Sequence, residues 1–170
     1  MGTAARLGIS LTPSKTAAQR VRETLPQIGY GQGDVVTTPM RMARLAAAIA
    51  SDGVLRETHQ QRTAVPSAEP DQFLDRDASR LLAGYMRDVV LTGTGRSLKG
   101  HSWRIAGKTG TAEITGSASH AWFVGFAPYG TATRRIAFAV IIENAGYGGA
   151  NAAPVAGDIV TAAAQSGLVK

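Results

Sequence analysis

From Trp103 onward the apolar residues stop recurring at helical spacing and begin to alternate. Trp103 and Ile105 alternate with Arg104 and Ala106, an aromatic run from His120 is stopped by Pro128, and Ile136, Phe138, Val140 and Ile142 share one face of a last run. Three such runs in succession predict an antiparallel meander, and every other element has to be arranged around that sheet.

The flanking segments read as helices. In "TTPMRMARLAAAIASDG" Thr38 is an N-cap, Pro39 takes the first helical position and Gly53 follows the end. Met42, Leu45, Ala46 and Ile49 form its apolar stripe, with Arg41, Arg44 and Ala48 turned elsewhere. A second helix, capped by Asp75 or Asp77, carries Leu81, Leu82, Tyr85, Met86 and Val89 at helical spacing and ends in the glycines of "LTGTGRSLKG". An Ala-rich helix from Ala152 to Gln165 closes the chain, with Val155, Ile159 and Ala163 as its apolar side. The first 35 residues are mixed and turn-rich, ending in "IGYGQGD", and Glu57 to Asp75 reads as a loop or short irregular strands. Helices around an antiparallel sheet make the fold class α+β.

Length and composition narrow the function. With 170 residues the chain suits one domain, which buries roughly 70% of its unfolded surface. No run approaches the ~20 apolar residues of a membrane-spanning helix, and Met1 to Arg20 lack the basic-then-apolar pattern of a signal peptide. The net charge of +6 comes from arginines spread over the whole length, without a basic cluster interleaved with aromatics, so no nucleic acid is expected as a partner. The absence of cysteine removes disulfides, thiolate metal sites and cysteine nucleophiles together.

The stretch "WRIAGKTGTAEI" carries the chemistry. As a phosphate loop it fails, because Ser102 stands where the first glycine is required and Trp103 to Ala106 has the composition of a strand. The alternative places Lys108, Thr109, Gly110 and Thr111 along an edge strand, where an ammonium and hydroxyls meet a carboxylate and Gly110 lets a ligand approach the backbone. Such an edge binds an extended peptide by strand addition.

K-T-G is one of three boxes of the penicillin-interacting serine enzymes, beside S-x-x-K and S-x-N. Together with "GYGQGDVVTTPMRMARLAAAIASDG", "MRDVVLTGTG" and "HAWFVGFAP", in that order, it makes the chain resemble the C-terminal part of the transpeptidase domain of a class B penicillin-binding protein. The resemblance implies a partial β-lactamase/transpeptidase-like fold in which residues 1–170 supply three C-terminal strands of an antiparallel sheet and flanking helices. It implies that Lys108 supplies positive charge for the carboxylate of a stem peptide or β-lactam, that Thr109 and Thr111 offer hydroxyls, that Gly110 keeps the strand accessible and that the Thr111 N–H is one oxyanion-hole donor. No cofactor or metal is expected.

Neither S-x-x-K nor S-x-N occurs in the chain; Thr12 to Lys15 gives only T-x-x-K and Ser97 to Lys99 only S-x-K. The nucleophile is therefore expected upstream of Met1, with an N-terminal half of the domain and any membrane anchor, and this chain alone is expected to be inactive in peptidoglycan crosslinking outside the cytoplasmic membrane. The alternative is a non-catalytic module that binds peptidoglycan or β-lactams. Without the two preceding strands, Ile136 to Glu143 would present an apolar edge through which the chain self-associates.

Residues outside the box receive plainer expectations. Glu113 belongs on a solvated rim, His120 forms neither triad nor metal site, Trp122 and Phe126 belong to the core, and Gln32 braces the site from a turn. Arg87, Asp88 and Arg96 are expected to face water.

Overall fold

The computed structural model describes residues 10–11, 17–33, 35–58 and 69–170. The T-x-x-K at Thr12 to Lys15 and the middle of the Glu57 to Asp75 segment lie outside the described residues. In chain order the elements are β1 (Ser10–Leu11), α1 (Ala17–Ile28), β2 (Val35–Val36), α2 (Pro39–Ala50), β3 (Val54–Leu55), β4 (Asp71–Gln72), α3 (Arg76–Leu91), a 3₁₀ turn (Arg96–Leu98), β5 (Ala106–Ile114), β6 (Ser117–Ala127), β7 (Ile136–Ile142) and α4 (Gly148–Gln165). The predicted meander is the antiparallel sheet β5-β6-β7, with Thr109 opposite Phe123 and Phe123 opposite Val140. Two pairs of two-residue strands, β1 with β2 and β3 with β4, lie outside it.

Local chemistry sets the helix starts. The Thr38 side chain accepts from the Arg41 N–H, with Pro39 just inside, and Asp75 rather than Asp77 caps α3 by accepting from the Ala78 N–H at 2.8 Å. Gly53 follows α2 at φ +87, and a Cβ there would overlap the Leu74 carbonyl. The turn-rich reading of the first 35 residues missed α1, whose polar sequence and Pro26 hide its period.

The two faces of the sheet divide the core. Phe123, Phe138 and Val140 pack on Ala152, Ala153, Ala156 and Val160 of α4, and the Phe123 and Phe138 rings stack at 6.2 Å. On the other face Ala106 and Phe126 meet Met86 of α3, with Ile49 and Ala50 of α2 against them. Ser79 ties these two helices together by donating to the Ile49 carbonyl at 2.8 Å.

The buried stripes differ from those read in the periodicity. In α4 the core face is Ala152, Ala153, Ala156, Gly157, Val160 and Ala163, whereas Val155 and Ile159 are 37% and 38% exposed. The helix begins earlier than Ala152, at Gly148; a Cβ at Gly148 would overlap the carbonyls of Trp122 and Gly110, and one at Gly149 the Thr94 carbonyl, so its first turn packs there only with glycine. Small residues let α4 lie close on the sheet, so the larger aliphatics face away. In α3 the buried residues are Ser79, Met86 and Val90, while Leu81 and Tyr85 are exposed. In α2 Ala48 is buried along with Ala46, since that helix is covered both by the sheet and by Leu55. The first strand of the meander, β5, starts at Ala106 rather than at Trp103, with Ile105 fully buried just ahead of it.

Candidate functional site

The edge of β5 away from β6 has no strand against it among the described residues. Successive side chains of a strand point to opposite faces. Thr109 and Thr111 therefore share the face of Phe123, and Lys108 and Gly110 share the face of Val124 and Trp122. The expected quartet is contiguous in sequence but not one cluster of side chains; Lys108 reaches the threonines only at the edge, where its Nζ donates to the Thr109 carbonyl at 2.7 Å.

Each residue of the box has a definite place. Lys108 is exposed, Thr109 is buried and its Oγ1 lies 2.5 Å from the Oγ1 of Thr94, and Thr111 is half-buried. A Cβ at Gly110 would sit 3.1 Å from the Trp122 Cβ, so glycine there preserves the packing of the strand on its neighbour.

Gln32 holds this edge from outside. Its Nε2 donates to the Thr111 carbonyl at 2.8 Å and its Oε1 accepts from the Glu113 N–H at 3.4 Å. The turn after α1 aims it: the Gln32 N–H bonds the Gln27 carbonyl at 2.9 Å, and Gly31 and Gly33 on either side have φ of +84 and +73. A residue in an antiparallel strand turns its N–H and C=O to the same side. Because the Thr111 carbonyl is met from outside by Gln32, the Thr111 N–H also points away from β6. The register irregularity lies between Ala112 and Ile114 and is taken up beyond Thr111, so the alternation along β5 runs unbroken through Thr111.

Chemically, this is an outward backbone donor with an ammonium beside it, a combination suited to an anion. The carbonyls of Thr109 and Thr111 already carry donors, from Lys108 and Gln32.

The start of β5 is pinned by a residue expected to face water. Arg87 is half-buried and its Nη1 donates to the Ile105 carbonyl at 2.6 Å. Burial first, then the charge of Arg104, draw its guanidinium below the usual arginine value, with Tyr129 acting the other way. Arg104 lies 5.2 Å from the Tyr129 ring centroid. Glu113 is exposed, and His120 uses Nδ1 to accept the Asn144 N–H at 3.0 Å, which fastens the turn between β7 and α4. Phe126 is 1% exposed, and among the described residues no three His, Asp or Glu side chains converge as a metal site. Arg87 was read as facing water and Thr94 was given no role; the one signal for Thr94 is its place between two glycines where α3 must turn toward β5.

Comparison with known proteins places this geometry in a family. A family model described as the penicillin binding protein transpeptidase domain matches residues 6–161. The chain belongs to the penicillin-binding protein transpeptidase family. It is 34% identical over 151 residues to peptidoglycan D,D-transpeptidase MrdA of Acinetobacter baumannii, covering 74% of this chain and 22% of that protein. To peptidoglycan D,D-transpeptidase FtsI of Escherichia coli it is 32% identical over 178 residues, covering 94% and 29%. The crystal structure of Pseudomonas aeruginosa PBP2 in complex with WCK 5153 superposes with a TM-score of 0.66 at 31% identity, over 87% of this chain and 35% of that one. Penicillin-binding protein A from M. tuberculosis, solved as an imipenem acyl-enzyme complex, gives a TM-score of 0.69 at 26% identity, over 95% and 40%. The chain thus spans only about a quarter of the length of the curated transpeptidases it matches.

Proposed function

We propose that this chain carries the carboxylate- and oxyanion-binding edge of a serine D,D-transpeptidase that crosslinks peptidoglycan stem peptides on the outer side of the cytoplasmic membrane. The observation that carries the reading is the outward Thr111 N–H, with the Lys108 ammonium folded to the same edge, in a chain of the transpeptidase family.

In serine acyl transfer the hydroxyl oxygen attacks the carbonyl carbon of the scissile D-Ala-D-Ala amide, and the carbonyl oxygen becomes an oxyanion before the terminal D-Ala departs with a proton. The Thr111 N–H is one donor to that oxyanion, and Lys108 holds the terminal carboxylate in place and biases the proton network. The Thr111 hydroxyl adds to the carboxylate contact. The Thr109 hydroxyl acts through its bond with Thr94. The nucleophile and its lysine belong to an S-x-x-K segment that these residues do not contain, so the chain alone contributes binding and no covalent step.

Intact-mass spectrometry after incubation with benzylpenicillin tests this, on the chain alone and on a form extended through S-x-x-K and S-x-N boxes. An acyl adduct on the extended form only is the expected result. An adduct on the chain alone would reveal another nucleophile, and none on either would favour a non-catalytic binding module.

The outer edge of β7 supports a further partner reading. It has no strand beside it among the described residues, and Ile136, Ile141 and Ile142 are only half-buried. It offers a pairing edge to the N-terminal half of the domain or, in its absence, to a second copy of this chain.

A further inference from the structure

We infer that a cavity bordered by arginines, between the end of α2, α3 and the turn from β6 to β7, is a docking site for an acidic, partly apolar peptide segment of a partner protein. The cavity has a volume of about 670 Å³, and no residue of the K-T-G box lines it. Ile49, Ala83, Phe126 and Tyr129 give it an apolar floor, while Arg80 and Arg135 bring charge to its wall.

Five arginines that are dispersed in the sequence converge here. Arg76, Arg80 and Arg87 recur on one side of α3. The Nε atoms of Arg80 and Arg76 lie 3.1 and 3.6 Å from the two carboxylate oxygens of Asp52, another lining residue. Arg87 feels the charge of Arg104, which stands over the Tyr129 ring and close enough to Gly130 that a Cβ there would lie 3.2 Å from its Nη1. Arg135 donates to the carbonyls of Ala50 and Gly130 and so fastens the β6–β7 turn to the end of α2. Among the described residues Asp52 is the only carboxylate that pairs with any of the five.

Five guanidinium groups against one carboxylate leave four positive charges without a counter-ion in the protein. Such a concentration of like charge selects an anion, and its shape selects the kind. From Arg76 to Arg87 the helix rises roughly 16 Å. A single phosphate cannot span that strip, whereas about five extended residues match it. A bilayer offers a flat anionic surface, but these charges rim a concavity with an apolar floor. Carboxylates interspersed with apolar side chains satisfy rim and floor together, in the manner of acidic segments held by arginine clusters.

The test is fluorescence anisotropy of the labelled peptide Glu-Leu-Glu-Glu-Phe-Glu titrated with the full chain. Saturable binding that weakens as salt is raised is expected. Arg80→Gln and Arg104→Gln, both at exposed positions, should each weaken it about three- to fivefold. Arg96→Gln removes the same charge from the exposed 3₁₀ turn and should leave it unchanged. Replacing Leu and Phe of the peptide by Ser should cost about tenfold through the lost apolar contact. Should Arg80→Gln or Arg104→Gln fail to fold, Thr131→Glu, which adds a carboxylate at an exposed position of the lining, is expected to weaken binding in their place. No saturable binding in the wild type would overturn the inference, as would equal losses in Arg80→Gln and Arg96→Gln. Undiminished affinity for the Ser-substituted peptide would show that bulk charge alone acts. Capture of the chain by phosphatidylglycerol vesicles, relieved by Arg80→Gln, would make the face a membrane contact and overturn the peptide reading.

Discussion

The side-chain amide of Gln32 grips the backbone of β5 at Thr111, Nε2 to carbonyl oxygen at 2.8 Å. This bond and its companion at Glu113 join the turn after α1 to the strand that bears the K-T-G box. Gln32→Ala removes both and is expected to cost about 1–2 kcal/mol, read as a lower urea midpoint with an unchanged denaturant slope. Faster amide exchange at Glu113 should accompany it; an unchanged midpoint and exchange rate would mean that the turn is held by other contacts.

Gly107 lies under an aromatic ring. A Cβ there would overlap the side chain of Phe123, a fully buried core residue, and approach the Val124 carbonyl. Gly107→Ala is expected to destabilise by about 1–3 kcal/mol through overpacking, seen in thermal denaturation. Gly100→Ala, where nothing lies within 4 Å, should leave the transition almost unmoved. Equal effects at the two positions would discount the overlap.

Arg87 is a structural arginine rather than a solvated one. Its Nη1 is the donor given to the Ile105 carbonyl, whose residue is fully buried. Arg87→Met keeps much of the aliphatic stem but orphans that acceptor, and is expected to cost about 1–3 kcal/mol. Chemical denaturation checks this, and Arg96→Met, at an exposed position, serves as the near-neutral comparison.

The free edge of β7 predicts concentration-dependent association. Sedimentation velocity of the isolated chain should show a growing dimer fraction as concentration rises, and Ile141→Lys, which puts a charge on that strand, should return it to monomer. Monomer at every concentration in the wild type would refute self-association through Ile136 to Glu143.

The hydroxyl pair Thr94 and Thr109 makes a turn residue part of the site's support. Thr94→Val is expected to weaken carboxylate binding by a few fold while costing about 1 kcal/mol of stability, with Thr94→Ser restoring both. Binding that survives Thr94→Val unaltered would confine Thr94 to the turn.

Much of this molecule was legible in the residues alone. The alternation in Ile136 to Ile142 demands a strand, Thr38 and Asp75 supply caps that work through their own next few residues, and the K-T-G box falls on a strand as read, although that strand starts at Ala106 and not at Trp103. These are short-range properties, and the chain settles them locally. The helix faces were legible only in part: Ala46, Met86 and Ala163 are buried as their spacing predicts. Val155 and Ile159 have the apolarity of a core stripe, yet the alanines and Gly157 occupy the interface, because the distance between α4 and the sheet decides which side chains fit.

The same division runs through the site. The sequence by itself determined that Lys108, Thr109, Gly110 and Thr111 follow one another along an extended strand, and with the ordered blocks around them it determined the family. Alternation along that strand already sets Lys108 on the face opposite the two threonines; only the tertiary structure decided that the strand lies at an open edge among the described residues and that Thr94 meets Thr109. It also decided that Arg87 pins the strand's start and that Gln32 donates to the Thr111 carbonyl. Those contacts join groups distant along the chain, and their partners exist only once helices and sheet have packed, so no local pattern of residues can encode which atoms meet.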